Sequence, residues 1–592
     1  MYLAWNYLLN DAPIDAATGK PAYYSRSYFN PIDLSLAFWP HNPACLYAGL
    51  VESGLKYYHY SGNANVMKLA EDVALWHLDH GMTLATDKWA SVPYSSGDPG
   101  TLNYKGVSYS FGAGVGDGLG NLEPDKIGEL AIAWLQLYKF NGNIRFRDAA
   151  IQAANVLSNN IRVGAVDKSP WPFRVNANTG AVVEEYCSNV IAPITLFDDL
   201  IASGLGNTAA YQSARTIAWN WMMAYPMKNN VWTQYFEDVG IQSDYRYNVN
   251  QYNPMMTARY LLEHPEFDPE WESHVRGLIT WVEDVFAVSS FGANAIKEQV
   301  PVFDNILGSH TARYASVNAL LYEKTGDLVA KEKAYRALNW STYMSSRTGV
   351  VIDGPGDNMV WFSDGYGDFV RHFMTGLGAV PVWSPFDQTH LLRSGSIIKN
   401  ISYGSNSVNY TSSDGNGIDV LRVNFTPAIV TADGVALLQR SDLNQPGWTL
   451  DAANKVMKIN HAGATQISIN ADATAPPFQF SIIPESFADI KSIYTLKAEA
   501  AGKNHSADFT NNNRLQIFPN PANGDITVRF NSIDDQQAVI RVVDFNGKQI
   551  SVFQHAVRSG KNTINIPKLK PGNYIISVKQ GSSLQYGKLI AL

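Results

Sequence analysis

Residues 126–157 read KIGELAIAWLQLYKFNGNIRFRDAAIQAANVL, and the fold class follows from this stretch. Ile127, Leu130, Ala131, Trp134 and Tyr138 recur at helical spacing and form one apolar stripe. The segment Asn141–Asn143, NGN, ends that helix: Gly142 takes the left-handed conformation that closes a helix, and Asn143 caps the next. Phe146 to Leu157 then carries a second, alanine-rich face. The unit is a helical hairpin that cannot bury both faces alone, so it needs neighbours of its own kind.

Such neighbours run from Pro43 to about Ala379. Their turns are SGN at Ser61–Asn63, GLGN at Gly204–Asn207, HPEF at His264–Phe267 and TGD at Thr325–Asp327. Five hairpins are visible. A sixth forms if the helix at Asp364–Ala379 pairs with the N-terminal helix at Tyr2–Leu9, which closes a ring. An open array would share the local pattern, but neither end carries a polar cap. Six hairpins over residues 1–384 resemble the (α/α)6 toroid of six-hairpin glycosidases and of several polysaccharide lyase families. That resemblance implies an enzyme acting on carbohydrate.

Past Pro385 the helical period stops. VNYTSS, IDVLRVNF, KVMKINH and QISINA alternate apolar and polar residues between Asn, Asp and Gly turns, as an antiparallel β-sandwich over residues 385–498 does. The polar stretch AEAAGKNHSADFTNNN reads as a linker, placed at residues 499–514. Residues 515–592 contain FPNP (Phe518–Pro521), DFNG (Asp544–Gly547), PGNY (Pro571–Tyr574) and GKLI (Gly587–Ile590). They are similar to the C-terminal, Ig-like sorting domain of the type IX secretion system of Bacteroidetes. The resemblance implies export through periplasm and outer membrane to the cell surface or beyond, with the secretion machinery as a partner. The start, MYLAWNYLLNDAP, lacks the basic and cleavage regions of a signal peptide, so that signal is expected to be missing from this chain.

Composition narrows the partners. The net charge of −8 is spread along the 592 residues without a basic stripe, which argues against nucleic acid. No run of 18 apolar residues spans a membrane. Aromatic residues make up 12%, with 15 Trp and 31 Tyr, enough for a sugar-stacking cleft as well as a core. Cys45 and Cys187 alone build no zinc site, and no metal motif is present, so neither metal nor cofactor is expected; a structural calcium stays open. The partner expected is a polysaccharide, bound by a monomer.

In a toroid, the loops entering the inner helices line one funnel, and polar and aromatic residues gather there. They are Trp39 and His41; Tyr104, Tyr109 and Glu123; Glu185, Tyr186 and Asn189; Tyr247, Asn250 and Tyr252; His310, Arg313 and Tyr314; and Trp361, Asp364, Tyr366, Asp368, Arg371 and His372. His310, Arg313 and Tyr314 fall at i, i+3 and i+4 and are expected on one face. Arg371 and His372 are adjacent, so at most one faces the funnel.

Two chemistries compete. β-Elimination on a uronic-acid polymer needs Asn, Arg or His to neutralise the substrate carboxylate, and Tyr or His to move protons. His310, Arg313, Tyr314, Tyr252 and Asn189 supply those types, and toroid lyases, as the resemblance implies, use such a set. Inverting hydrolysis needs two carboxyl groups, for which Asp364 or Asp368 facing Glu123, Asp117 or Glu185 would serve. The residue types, and the order of ring then sheet that the resemblance associates with lyases, make the lyase the expected activity; the acidic chain, without a long Lys/Arg groove, keeps the hydrolase as the alternative. Non-catalytic glycan binding would leave the ionisable residues unexplained.

Overall fold

A computed structural model describes residues 1–37, 39–108, 110–111, 114–115, 117–185, 188–228, 230, 232, 249–300, 304–355, 359–472, 515–520, 522–532, 534–544, 549–580 and 583–591. Two compact units result, Met1–Ala488 and Asp489–Leu592.

The first unit is built on a closed ring. Its inner helices are α2 (Pro43–Ser61), α4 (Pro124–Asn141), α6 (Ile191–Ala202), α8 (Tyr252–Glu263), α10 (Gly308–Thr325) and α12 (Phe369–Ala379). Each packs on the next, and α12 packs back on α2. Five of them form hairpins with outer helices α3 (Ala64–His80), α5 (Ile144–Asn159), α7 (Thr208–Met222), α9 (Trp271–Phe286) and α11 (Leu328–Thr342). The N-terminal helix α1 (Tyr2–Asn10) completes the outer ring by packing on α3 and on the π-helical turn Ser363–Asp368 that leads into α12. This is an (α/α)6 toroid.

The turns work as their residues dictate. Gly62, Gly142 and Gly326 sit at φ +71°, +75° and +75° and close their helices, while the side chains of Asn63, Asn143 and Asp327 accept from the first backbone N–H groups of the helices that follow. Two other glycines allow inner helices to touch. A Cβ on Gly128 of α4 would lie 2.8 Å from the backbone nitrogen of Pro193 in α6, and one on Gly367 would lie 3.2 Å from the carbonyl carbon of Gly49 in α2. The second contact presses the turn carrying Asp364 and Asp368 against the ring interior.

Residues 390–471 add two antiparallel sheets to the same unit. Strands β1 (His390–Arg393), β4 (Ile418–Arg422), β8 (Val456–Asn460) and β7 (Gly447–Asp451) pair in the order β1-β4-β8-β7. Strands β2 (Ile398–Tyr403), β3 (Ser407–Ser412), β9 (Gln466–Ala471), β5 (Pro427–Ala432) and β6 (Val435–Ala436) pair as β2-β3-β9-β5-β6. The alternation read from the sequence is the burial pattern found: Val408, Tyr410, Ile467 and Ile469 point inward. The sheets dock on the turn end of the ring, where the Arg393 guanidinium grips the Glu323 carboxylate with two bonds of 2.6 Å and His390 stacks on Tyr60 at 3.8 Å.

The second unit has its own core, including Ile526, Val528, Ile540, Val542, Ile576 and Val578. Strands β10 (Gln516–Phe518), β11 (Ile526–Ser532) and β14 (Gly560–Ile566) form one sheet. β13 (Gln549–Val557), β12 (Gln536–Asp544), β15 (Gly572–Gln580) and β16 (Ser583–Ala591) form the other. The proposed linker, residues 499–514, lies outside the described residues.

Candidate active site

The inner helices start at one rim and leave a cavity of about 270 Å³ along the ring axis. A second space of about 310 Å³, which we call the mouth, adjoins it; Cys45, Glu298, Ser363 and Asp364 line both. His310, Arg313, Tyr252, Asn189, Asn250, Asp364, Asp368 and Arg371 line the inner part. Trp39, His41, Glu123 and Trp361 line the mouth. Trp361 stacks on Tyr28 at 4.3 Å and meets Trp39 edge-on at 5.9 Å, giving the mouth an aromatic wall.

Asp364 and Asp368 are one turn apart on the π-helical segment, and π-bulges of this kind recur at functional sites. The Asp364 carboxyl accepts from Ser309 Oγ and Ser363 Oγ, each at 2.9 Å. Burial, then the negative charge of Asp368, pushes its pKa up to about 6. Asp368 goes the other way: burial would raise it, but ion pairs with Arg313 and Arg371 hold it far below the usual carboxylate range. His310 receives the Arg313 Nη1 donor at 3.1 Å on Nδ1, and burial followed by that cation keeps its imidazole neutral, with a pKa lowered to about 3.

Across the cavity, Glu129 of α4 accepts from the Tyr252 hydroxyl at 2.8 Å and the Asn189 amide at 3.4 Å, with Lys126 Nζ at 3.5 Å. The Arg313 guanidinium lies 4.6 Å from the Tyr252 ring centre. Deeper down, Glu52 accepts from Arg259 and from Arg371, both at 2.8 Å, and Arg259 also bonds Glu263 at 3.0 Å. Glu52, Glu129, Arg259 and Glu263 did not figure among the sequence candidates. Their signal was a polar residue every three or four positions along an inner helix: Glu52 and Lys56 on α2, Lys126 and Glu129 on α4, Arg259 and Glu263 on α8.

Several candidates lie elsewhere. Tyr314 does not share the face of His310 and Arg313. One residue is 100° of helix, which turns Tyr314 outward, and its hydroxyl donates to Glu283 of α9 at 2.5 Å. Tyr366 is enclosed, stacked on Tyr7 at 6.0 Å with its hydroxyl on the Gly349 carbonyl. Tyr104 is buried against His77 and shares a hydrogen bond with the Tyr47 hydroxyl at 2.9 Å. His372 faces Ser316 of α10 at 3.1 Å, leaving Arg371 as the member of that pair in the cavity. Glu185 is held by two bonds from Arg162, at 2.7 and 3.0 Å. Glu123 reaches the mouth but is committed to Arg174, which also binds Asp117 and Glu184. The His41 ring is buried in the mouth wall against Tyr104, and burial, then His77, lowers its pKa to about 3. Tyr109, Tyr186, Tyr247 and Cys187 lie outside the described residues.

Among the described residues, His310, Asp364 and Asp368 are the one set whose ligand atoms gather closely enough for a metal, within 4.8 Å. Asp368 already carries two guanidinium groups there, so a further cation would meet Arg313 and Arg371 at close range.

Residues 516–591 match the family described as the secretion system C-terminal sorting domain. The C-terminal unit is a sorting domain. It directs the chain to export, and no helix among the described residues is long and apolar enough to cross a membrane. No curated protein matches the sequence. Among solved structures, the chain is similar to a cellobiose 2-epimerase from Spirochaeta thermophila (10% identity, 64% of this chain and 94% of that one, TM-score 0.46). It is also similar to an unsaturated glucuronyl hydrolase specific for heparin (13%, 63% and 97%, 0.40) and to an α-mannanase from Bacteroides thetaiotaomicron (13%, 58% and 86%, 0.39).

Proposed function

We propose that the protein is an exported glycoside hydrolase that cuts a neutral glycan, with Asp364 as general acid. The observation that carries this reading is the state of Asp364: a half-buried carboxyl, raised to about 6, lining the cavity and held by two serine hydroxyls. A carboxylic acid that holds its proton up to mildly acidic pH can give it to a departing glycosidic oxygen. Glu129, on the facing helix, stands for the second carboxyl such hydrolysis requires, placed by Tyr252, Asn189 and Lys126. The indole wall of Trp39 and Trp361 suits the CH faces of sugar rings.

The charge balance supports a neutral substrate. In the inner cavity, four cations face six carboxyl groups, and each cation is already engaged. Arg313 and Arg371 hold Asp368, Arg371 and Arg259 hold Glu52, and Lys126 is beside Glu129. Elimination on a uronate would need a cation or amide set against the substrate carboxylate, and the described residues offer none uncommitted among the cations. The neutral His310 ring keeps the lyase as second reading, since it supplies a base.

Incubation with neutral and uronic-acid polysaccharides tests the choice. New reducing ends without the ultraviolet absorbance of an unsaturated uronide support hydrolysis. Absorbance that persists in Asp364→Asn overturns it.

A further inference from the structure

Glu52 of α2 and Arg259 of α8 are ion-paired at 2.8 Å, and α2 and α8 stand opposite each other in the ring of inner helices. Their bridge therefore crosses the lumen from wall to wall. Arg371 of α12 joins it through Glu52 at 2.8 Å, Lys56 of α2 reaches Thr375 of α12 at 3.0 Å, and Glu263 backs Arg259 at 3.0 Å. The side chains of Glu52, Arg259 and Arg371 are only 19%, 12% and 10% exposed, so the lattice is packed in place. Glu52, Arg259, Glu263 and Gln136 line the axial cavity on one side. On the other they line a separate space of about 550 Å³, whose far wall includes Leu392, Arg393 and Ile398 of the sheets. The lattice is thus a floor across the ring.

Asp364 lines both the axial cavity and the mouth, so a bond presented to it lies where the two meet. From there the floor is near: Asp368, one turn on, pairs with Arg371, which pairs with Glu52. The space on the inner side is about 270 Å³, just below the range of about 300–1,000 Å³ typical of pockets that enclose a small molecule. A short end of a glycan fits there, and an extended chain cannot pass through.

We propose that the Glu52–Arg259 bridge restricts the protein to chain ends: the terminal one or two sugar units enter the axial cavity, the rest of the glycan leaves past Trp39 and Trp361, and the short piece is released. This rests on the reading of Asp364 as general acid. In each turnover the glycosidic bond at the junction breaks and the departing oxygen takes the Asp364 proton. Water gives its hydroxyl to the anomeric carbon and its remaining proton to the Glu129 carboxylate.

The test is to incubate the full chain with α-mannan, β-glucan and xylan, sizing products by chromatography from the first minutes while following viscosity. Mono- or disaccharide is expected as the sole early product, with viscosity almost constant as reducing ends accumulate. Early oligosaccharides of mixed length with a steep fall in viscosity overturn the chain-end reading and leave hydrolysis standing. No product from any of the three overturns both. Glu52→Ala combined with Arg259→Ala removes both partners of the bridge and joins the cavity to the space behind it. Released products should then lengthen by at least one unit. Products of unchanged length from a double variant whose thermal melt shows it folded would mean that the bridge does not set the limit. If the double variant does not fold, the wild-type product pattern decides alone.

Discussion

Asp364 and Asp368 share one side of a π-helical turn, and their pKa values are driven in opposite directions. The first is lifted to about 6 by burial and by its neighbour's charge; the second is held ionised by Arg313 and Arg371. Two carboxyl groups pushed apart in this way mark an acid and the charge that tunes it.

If Asp364 is the proton donor, turnover falls as pH rises through about 6, because the acid form is lost above that value. Asp364→Asn should lower kcat by about 10²–10⁴-fold, the usual contribution of a general acid. A pH–rate profile of kcat/KM for both proteins checks this; a full rate in Asp364→Asn would reassign the acid.

Asp368→Asn tests the tuning. Removing the like charge lets Asp364 ionise more readily, so the alkaline limb of the profile moves to lower pH. Arg313 and Arg371 also lose their shared partner in a buried site, which costs about 3–5 kcal/mol of stability. Denaturant titration and the pH profile together separate the two effects, and a limb that stays in place excludes Asp368 as the source of the shift.

Much of this geometry was legible in the sequence. Gly62–Asn63, Gly142–Asn143 and Gly326–Asp327 announce their hairpins, because a left-handed closure followed by a cap is a local requirement. The loops entering α10 and α12 gave His310, Arg313, Asp364 and Asp368. Glu52, Glu129 and Arg259 stayed hidden, since mid-helix they look like the solvent side of an amphipathic pattern. Only closure of the ring turns that side into an interior. Tyr366 misled for another reason: the wider π-turn brings Asp364 and Asp368 to the lumen and sends the residue between them into the core.

Tyr314 separates position in sequence from position in the site. Its hydroxyl serves Glu283 on the outer helix, so Tyr314→Phe should leave kcat unchanged while costing about 1–3 kcal/mol for a carboxylate left with one donor fewer. Thermal melts and steady-state rates measured side by side decide it. Lost turnover at full stability would put the phenol back among the reacting groups.

The β-sheets carry a pH dependence of their own. Asp419 accepts from the Tyr410 hydroxyl at 2.5 Å and lies 3.0 Å from His461 Nε2, while His461 Nδ1 is 2.6 Å from the Ala464 carbonyl. Both ring nitrogens thus face acceptors, which calls for an imidazolium. Burial opposes the charge, but Asp419 overcomes it and the His461 pKa is raised. A histidine whose folded value exceeds its unfolded one contributes stability that is whole below the unfolded value, about 6.5, and fades as pH climbs through the higher folded value. The melting temperature of the unit Met1–Ala488 in the full chain should therefore fall as pH rises above about 6.5 and through the raised folded value. His461→Gln should flatten that slope, because the amide keeps a donor but cannot titrate. An equally steep fall in His461→Gln would trace the dependence to another group.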